Sequence, residues 1–187
     1  MDRITLDKAI NHLKADNKLN KIIKKYSIPK FSYNSNYFDA LSKSIIYQQL
    51  SGKVARIIYN RFLNLFPKKN PEPNYYLGIN DANLKKIGLS KQKISYISNL
   101  SLFFINNKDK HLFENLSEQD IHNKLIFIKG IGKWTIDMFM MFTLYKTDIL
   151  PIGDLGIKKA FKNLYKLQQL PSEEFMHQKS KNWKPYR

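Results

Sequence analysis

Apolar residues recur three and four positions apart along nearly the whole chain, a spacing that gives each segment one helical stripe to bury. In "LDKAINHLKAD" Leu6, Ile10 and Leu13 share a face, with Thr5 placed to cap the first turn. In "YFDALSKSIIYQQL" Phe38, Leu41 and Ile45 form one stripe and Ile46 adjoins it. Ser51-Gly52 breaks or caps the chain before "KVARIIYNRFLNLF", and Ser90 caps "KQKISYISNLSLFFI". Ser117 with Asp120 resembles a capping box before "IHNKLIFI". Helices are also expected over "DANLKKI", Lys133 to Tyr145, "LGIKKAFKNLYK", and from Ser172 onward. "KFSYNSN" reads as a loop, and "PKKNPEPN" as a linker. No pair of strands and no internal repeat is evident, so the expected class is all-α.

The 187 residues suffice for one compact domain, or two small lobes sharing a cleft, and a 43% hydrophobic content supplies a real core. Against 15 Asp+Glu stand 32 Lys+Arg, a net charge of +17. Such a charge attracts polyanions, with nucleic acid or an anionic membrane surface the usual candidates. Nearly all of it is lysine, arginine standing only at Arg3, Arg56, Arg61 and Arg187, so an AT-rich genome explains the balance equally well. No stretch has the apolar length of a bilayer crossing, and "MDRITLDKAI" lacks the apolar core of a secretory signal. With no cysteine, disulfides, thiolate zinc sites and cysteine-ligated iron–sulfur clusters are excluded. The expected setting is the cytoplasm, associated with the nucleoid, or a nucleus in a eukaryote.

The stretch "FIKGIGKWTIDMF" carries two glycines before a mostly apolar helix. A P-loop would need glycine at Phe127 and Ser or Thr at Trp134; a dinucleotide fingerprint would need glycine at Thr135 after a strand. Both fail. What remains is helix, tight turn, helix. Either it is an ordinary helix corner, or Gly130 and Gly132 free backbone amides to hold one phosphate, with Lys133 adding a cation. Asp154, after Pro151-Ile152-Gly153, reads locally as the N-cap of the following helix.

"LIFIKGIGKWTIDMF" resembles the helix-hairpin-helix element of DNA base-excision glycosylases. "LPIGDLGIKKAF" looks like the segment that carries their catalytic aspartate. "SIIYQQLSGKVA" is similar to the junction they press into the minor groove, "GLSKQKISYISNLS" to another helical block, and "NWKPYR" to the start of their closing motif. The order of these blocks over about residues 35–187 is that of the family, and the nearest branch is DNA-3-methyladenine glycosylase II. The implied fold has two helical lobes flanking a cleft. One lobe spans about 35–125, with its linker near 67–74; the other spans about 126–187 and the N-terminal helices 1–30.

The resemblance implies roles for particular residues. Asp154 would be catalytic, its charge stabilising positive charge on the deoxyribose as the base departs, much as carboxylates do in sugar hydrolases. Lyase-competent members carry a Schiff-base lysine where this chain has Trp134, so a monofunctional hydrolase that leaves an abasic site is implied. An indole suits cationic alkylpurines, though a core tryptophan reads equally well. Met138 shares its face, and Tyr47, Phe38 and Tyr37 are further aromatic candidates for the base pocket. Gln49 would fill the vacated stack, with Gln48 and Leu50 as alternatives. Gly130, Gly132, Lys133 and Thr135 would contact DNA. Carbonyls of Ile126, Ile128 and Ile131 would hold a structural Na or K ion, and no other cofactor is expected.

His12, His111, His122 and His177 show no ligand spacing, and no zinc-deaminase motif exists. Asp137 is the rival carboxylate. The expected partner is double-stranded DNA containing alkylated bases, bound by a monomer and with no membrane involved. The competing class is a non-catalytic helix-hairpin-helix DNA-binding module. Family members continue past the closing motif into a helix that brings an aromatic side chain to the extruded base, and some carry an N-terminal sheet domain. The resemblance implies either a shortened chain or one lost pocket wall with an altered lesion range, and it leaves no room for the sheet domain.

Overall fold

A computed structural model of the chain describes residues 3–28, 35–109 and 111–187, so most of the loop expected over 30–36 lies outside the described residues. Among the described residues all regular structure is helical. In chain order the helices are α1 (Arg3–Leu13), α2 (Asn17–Lys25), α3 (Tyr37–Tyr47), α4 (Gly52–Leu63), α5 (Pro73–Leu77) and α6 (Asp81–Lys86). They continue with α7 (Lys91–Asn106), α8 (Glu118–Leu125), α9 (Lys133–Phe142), α10 (Leu155–Tyr165) and α11 (Glu173–Lys179). Short 3-10 turns cover Pro67–Lys69 and Lys181–Trp183. None of these helices is long and apolar enough to cross a membrane.

Short polar side chains start most of them. Ser51, Ser90, Ser117, Asp154 and Ser172 each accept an amide of the first turn of the helix that follows. Thr5 is a correction: α1 begins at Arg3, which puts Thr5 inside the helix. The cap on the second N-terminal helix was not legible in the sequence. Asp16 accepts from the amides of Lys18 and Leu19, ending the first helix and opening a second.

Contacts group Asn34–Phe139 as one unit, and Met1–Tyr33 with Met140–Arg187 as another. The segment 126–139 therefore groups with the first unit, and not with the C-terminal lobe as expected from sequence. The core of the first unit gathers Leu41, Ile45 and Ile46 of α3 with Phe62, Tyr76, Ile97 and Leu100, all buried. Tyr76 keeps its hydroxyl satisfied there by donating to the carbonyl of Ile94 at 3.1 Å. In the second unit Ile152, Phe161, Met176 and Trp183 form the core. Asp16 serves it twice, since the indole of Trp183 donates to its other oxygen at 2.9 Å.

Candidate active site

The hairpin between α8 and α9 is built from two tight turns: Ile128 N–H donates to Leu125 at 3.0 Å, and Ile131 N–H to Ile128 at 2.9 Å. Gly130 sits at φ +102, and a Cβ there would lie 2.1 Å from the ring of Tyr96 on α7. Glycine is required both by backbone and by packing. Gly132 differs, because a Cβ would meet nothing within 4 Å. Its missing side chain leaves open space beside the N-terminus of α9, where the helix dipole favours an anion.

The turn after α3 holds the three wedge candidates, and the structure separates them. Gln48 is half-buried, its amide donating to the carbonyl of Gly130 at 3.0 Å and to the hydroxyl of Thr135 at 3.1 Å. Gln48 thus joins the turn to the hairpin and is not the outward-facing wedge. Thr135, only 2% exposed, is likewise corrected: its hydroxyl serves Gln48, inside the protein. Gln49, at φ +57, and Leu50 face outward.

Of the aromatic candidates, Trp134 and Met138 are half-buried one turn apart on α9, and Tyr47 is half-buried at the end of α3. Tyr47 meets Tyr59 edge-on at 6.3 Å, and the Lys43 ammonium lies 5.9 Å from its ring. Tyr59 in turn donates to both oxygens of Asp39, at 2.8 and 2.9 Å, which ties α4 to α3 beneath Tyr47. Phe38 does not belong with them. It is 3% exposed and wedged against Tyr76 and Phe104, because α5 and α7 cover its face of α3. Tyr37 is core as well, edge-on to Phe113 and Phe139.

Asp137 is buried in α9, with Lys133 Nζ 3.4 Å from its carboxylate. Burial pushes its carboxyl above the ordinary range, and the charge of Lys133 opposes this only in part. The native state then binds this proton more tightly than the unfolded chain. Its contribution to stability is fully present below the ordinary value of 3.8 and falls as pH rises through the native one. Because Lys133 is mostly exposed, the pair adds only about 0–1 kcal/mol against that cost. Asp137→Asn is expected to flatten this part of the stability–pH curve and to be neutral or stabilising at pH 7, which thermal melts across a pH series check.

In the second unit the turn Leu150–Asp154 delivers one carboxylate to the start of α10. Asp154 N–H donates to Pro151 at 2.9 Å, its carbonyl accepts from Lys158 at 2.9 Å, and Oδ1 accepts from Ile157 N–H at 2.8 Å. Backbone and side chain are fixed together, and the residue is half-buried. Gly156 makes room for it, since a Cβ there would lie 2.9 Å from Oδ1. Sequence reasoning passed over Gly156, although the spacing of the "GDLG" stretch was visible.

The three carbonyl oxygens expected to hold an ion belong to residues at the end of α8 and in the turn before α9. That of Ile128 already accepts Ile131 N–H and keeps one lone pair; Ile126 caps the end of α8. Among the described residues no group of three or more His, Cys, Asp or Glu side chains could hold a metal.

Residues 42–185 match the HhH-GPD superfamily base excision DNA repair protein family. This chain belongs to that family. The helix-hairpin-helix is α8, the glycine turn and α9, and the family's all-helical fold is the one observed. The chain is 27% identical over 173 residues to "DNA-3-methyladenine glycosylase 1" of Schizosaccharomyces pombe, covering 91% of this chain and 76% of that one. It is 30% identical over 173 residues to "DNA-3-methyladenine glycosylase" of Saccharomyces cerevisiae, spanning 81% of this chain and 58% of the relative. A solved S. pombe 3-methyladenine DNA glycosylase in complex with abasic DNA superposes with a TM-score of 0.89 at 27% identity, over 96% of this chain and 91% of the other.

Proposed function

We propose that this helix-hairpin-helix protein is a monofunctional DNA glycosylase. It hydrolyses the N-glycosidic bond of alkylated purines such as 3-methyladenine in duplex DNA and leaves an abasic site. The observation that carries this reading is Asp154, a carboxylate locked at the N-terminus of α10 in a chain of this family.

Each step falls to residues already described. The open space at Gly132 and the start of α9 take a DNA phosphate, helped by Lys133; the carbonyls of Ile126, Ile128 and Ile131 would hold a monovalent ion, which would add positive charge beside that phosphate. Gln49, with Leu50 beside it, fills the gap as the damaged nucleotide leaves the stack. The extruded base rests against Trp134 and Tyr47, whose π faces favour a cationic alkylpurine by about 0.5–2 kcal/mol. The bonding pair then moves to the purine nitrogen, which neutralises the base's positive charge, so no general acid is needed. Asp154 stabilises the resulting sugar cation, and water adds at C1′ and releases its proton. Trp134 stands where a lyase would need an amine, so the strand is not cut.

The protein acts as a monomer on double-stranded DNA, in the cytoplasm at the nucleoid or in a nucleus. Its net charge of +17 makes duplex binding fall steeply with salt. The test is incubation with methylated duplex DNA and chromatography of the released bases. Release of alkylpurine with alkali-labile but unbroken strands is the expected result. Salt-sensitive binding with no base released would leave a DNA-binding module and refute the enzyme.

A further inference from the structure

The block "GLSKQKISYISNLS" has no part in the steps above, yet the first turns of α7 touch both DNA-reading elements. Lys93 is half-buried, and its ammonium donates to the carbonyl of Ile46 at 2.7 Å and of Gln48 at 3.0 Å. These are the terminal carbonyls of α3, where the helix dipole is negative. Tyr96, three residues on, packs where a side chain on Gly130 would otherwise stand. The side chain of Gln48 closes the triangle by reaching the carbonyl of Gly130 and the hydroxyl of Thr135.

Inside that triangle Gln49 holds φ +57, a region that residues with a Cβ seldom occupy. Such a conformation persists only where its surroundings over-determine it. Burial lowers the proton affinity of the Lys93 amine, a cost accepted to place an ammionium-type donor against two carbonyls.

We propose that Lys93 is a positioning residue for base extraction. By tethering the carbonyls of Ile46 and Gln48 it holds the turn that presents Gln49. Through Gln48 and Tyr96 that turn is tied to the hairpin, so the grip on phosphate fixes how deeply Gln49 enters the duplex. This inference rests on the glycosylase reading for its base-release arm alone.

The test compares Lys93→Met, which keeps the packing of the stem, with Lys93→Arg, which keeps a cationic donor. Each variant is melted thermally and titrated with a duplex carrying a tetrahydrofuran abasic analogue beside 2-aminopurine, whose fluorescence reports local unstacking. Single-turnover release of 7-methylguanine is then measured with the lesion paired to cytosine and with it opposite an abasic gap. For Lys93→Met the affinity should hold while the fluorescence rise is largely lost, and release from the paired lesion should slow roughly tenfold to a hundredfold. The gap opposite the lesion should restore most of that rate, because less pairing must be broken. Lys93→Arg should retain the fluorescence rise.

A folded Lys93→Met with a full fluorescence rise, or with equal rate losses on paired and gapped substrates, would overturn the proposal. If Lys93→Met does not fold, Gln48→Met decides: it leaves the α3 carbonyls tethered and cuts the tie to the hairpin, so retention of the full rise would again overturn it. If the wild type releases no base, the glycosylase reading fails, but the fluorescence arm on the abasic analogue still decides the role of Lys93.

Discussion

Asp154→Asn is expected to abolish base release while leaving the fold and the affinity for duplex DNA nearly unchanged. Asparagine caps a helix about as well as aspartate, so the acceptor for Ile157 N–H at 2.8 Å survives the change. What disappears is the negative charge. Removing a single preorganised electrostatic group from an active site costs on the order of 10²–10³-fold in rate. Asp154→Ala provides the contrast, since it loses charge and cap together and should cost about 1 kcal/mol of stability as well. Single-turnover release, thermal melting and equilibrium binding on the same three proteins separate the two roles. Comparable activity in Asp154→Asn and wild type would remove the catalytic assignment and direct attention to Asp137.

Gly130→Ala should be the most destabilising single-methyl change in the hairpin. The residue sits at φ +102, and the added carbon would meet three atoms of Tyr96 at 2.1 to 2.5 Å. One of those atoms is the Cβ of Tyr96, which cannot move without shifting α7. Left-handed backbone costs a residue with a Cβ roughly 1–2 kcal/mol, and overpacking about 1–3 kcal/mol. The sum is a large share of the roughly 5–15 kcal/mol that holds a domain folded. Gly132→Ala is the internal control, because nothing lies within 4 Å of its added carbon. Urea midpoints for the two variants should differ clearly; similar midpoints would mean that Tyr96 does not confine the hairpin.

What the sequence revealed follows the range of the interactions involved. Ser90 and Ser117 were legible as caps because a cap is settled within four residues. Asp154 was legible for the same reason, and family resemblance supplied its chemistry. The end of the first segment at Asp16 was legible, whereas the anchoring of that carboxylate by Trp183 was not, because the two lie 167 residues apart. Phe38 shows the limit of periodicity. The helical repeat identifies the face that is buried, but whether that face meets a ligand or Tyr76 and Phe104 depends on where α5 and α7 pack. Gln48 and Gln49 are chemically identical neighbours, and only the backbone at φ +57 turns one inward to Gly130 and the other out.

The most direct measurement compares wild type and Asp154→Asn on two uncleavable duplexes, one with a cationic pyrrolidine at the abasic position and one with neutral tetrahydrofuran. A carboxylate that stabilises a sugar cation must prefer the pyrrolidine, by roughly a hundredfold for an analogue of this kind, and the preference must vanish in Asp154→Asn. Equal affinity of the wild type for both duplexes, or a preference that survives the loss of the charge, would contradict the account.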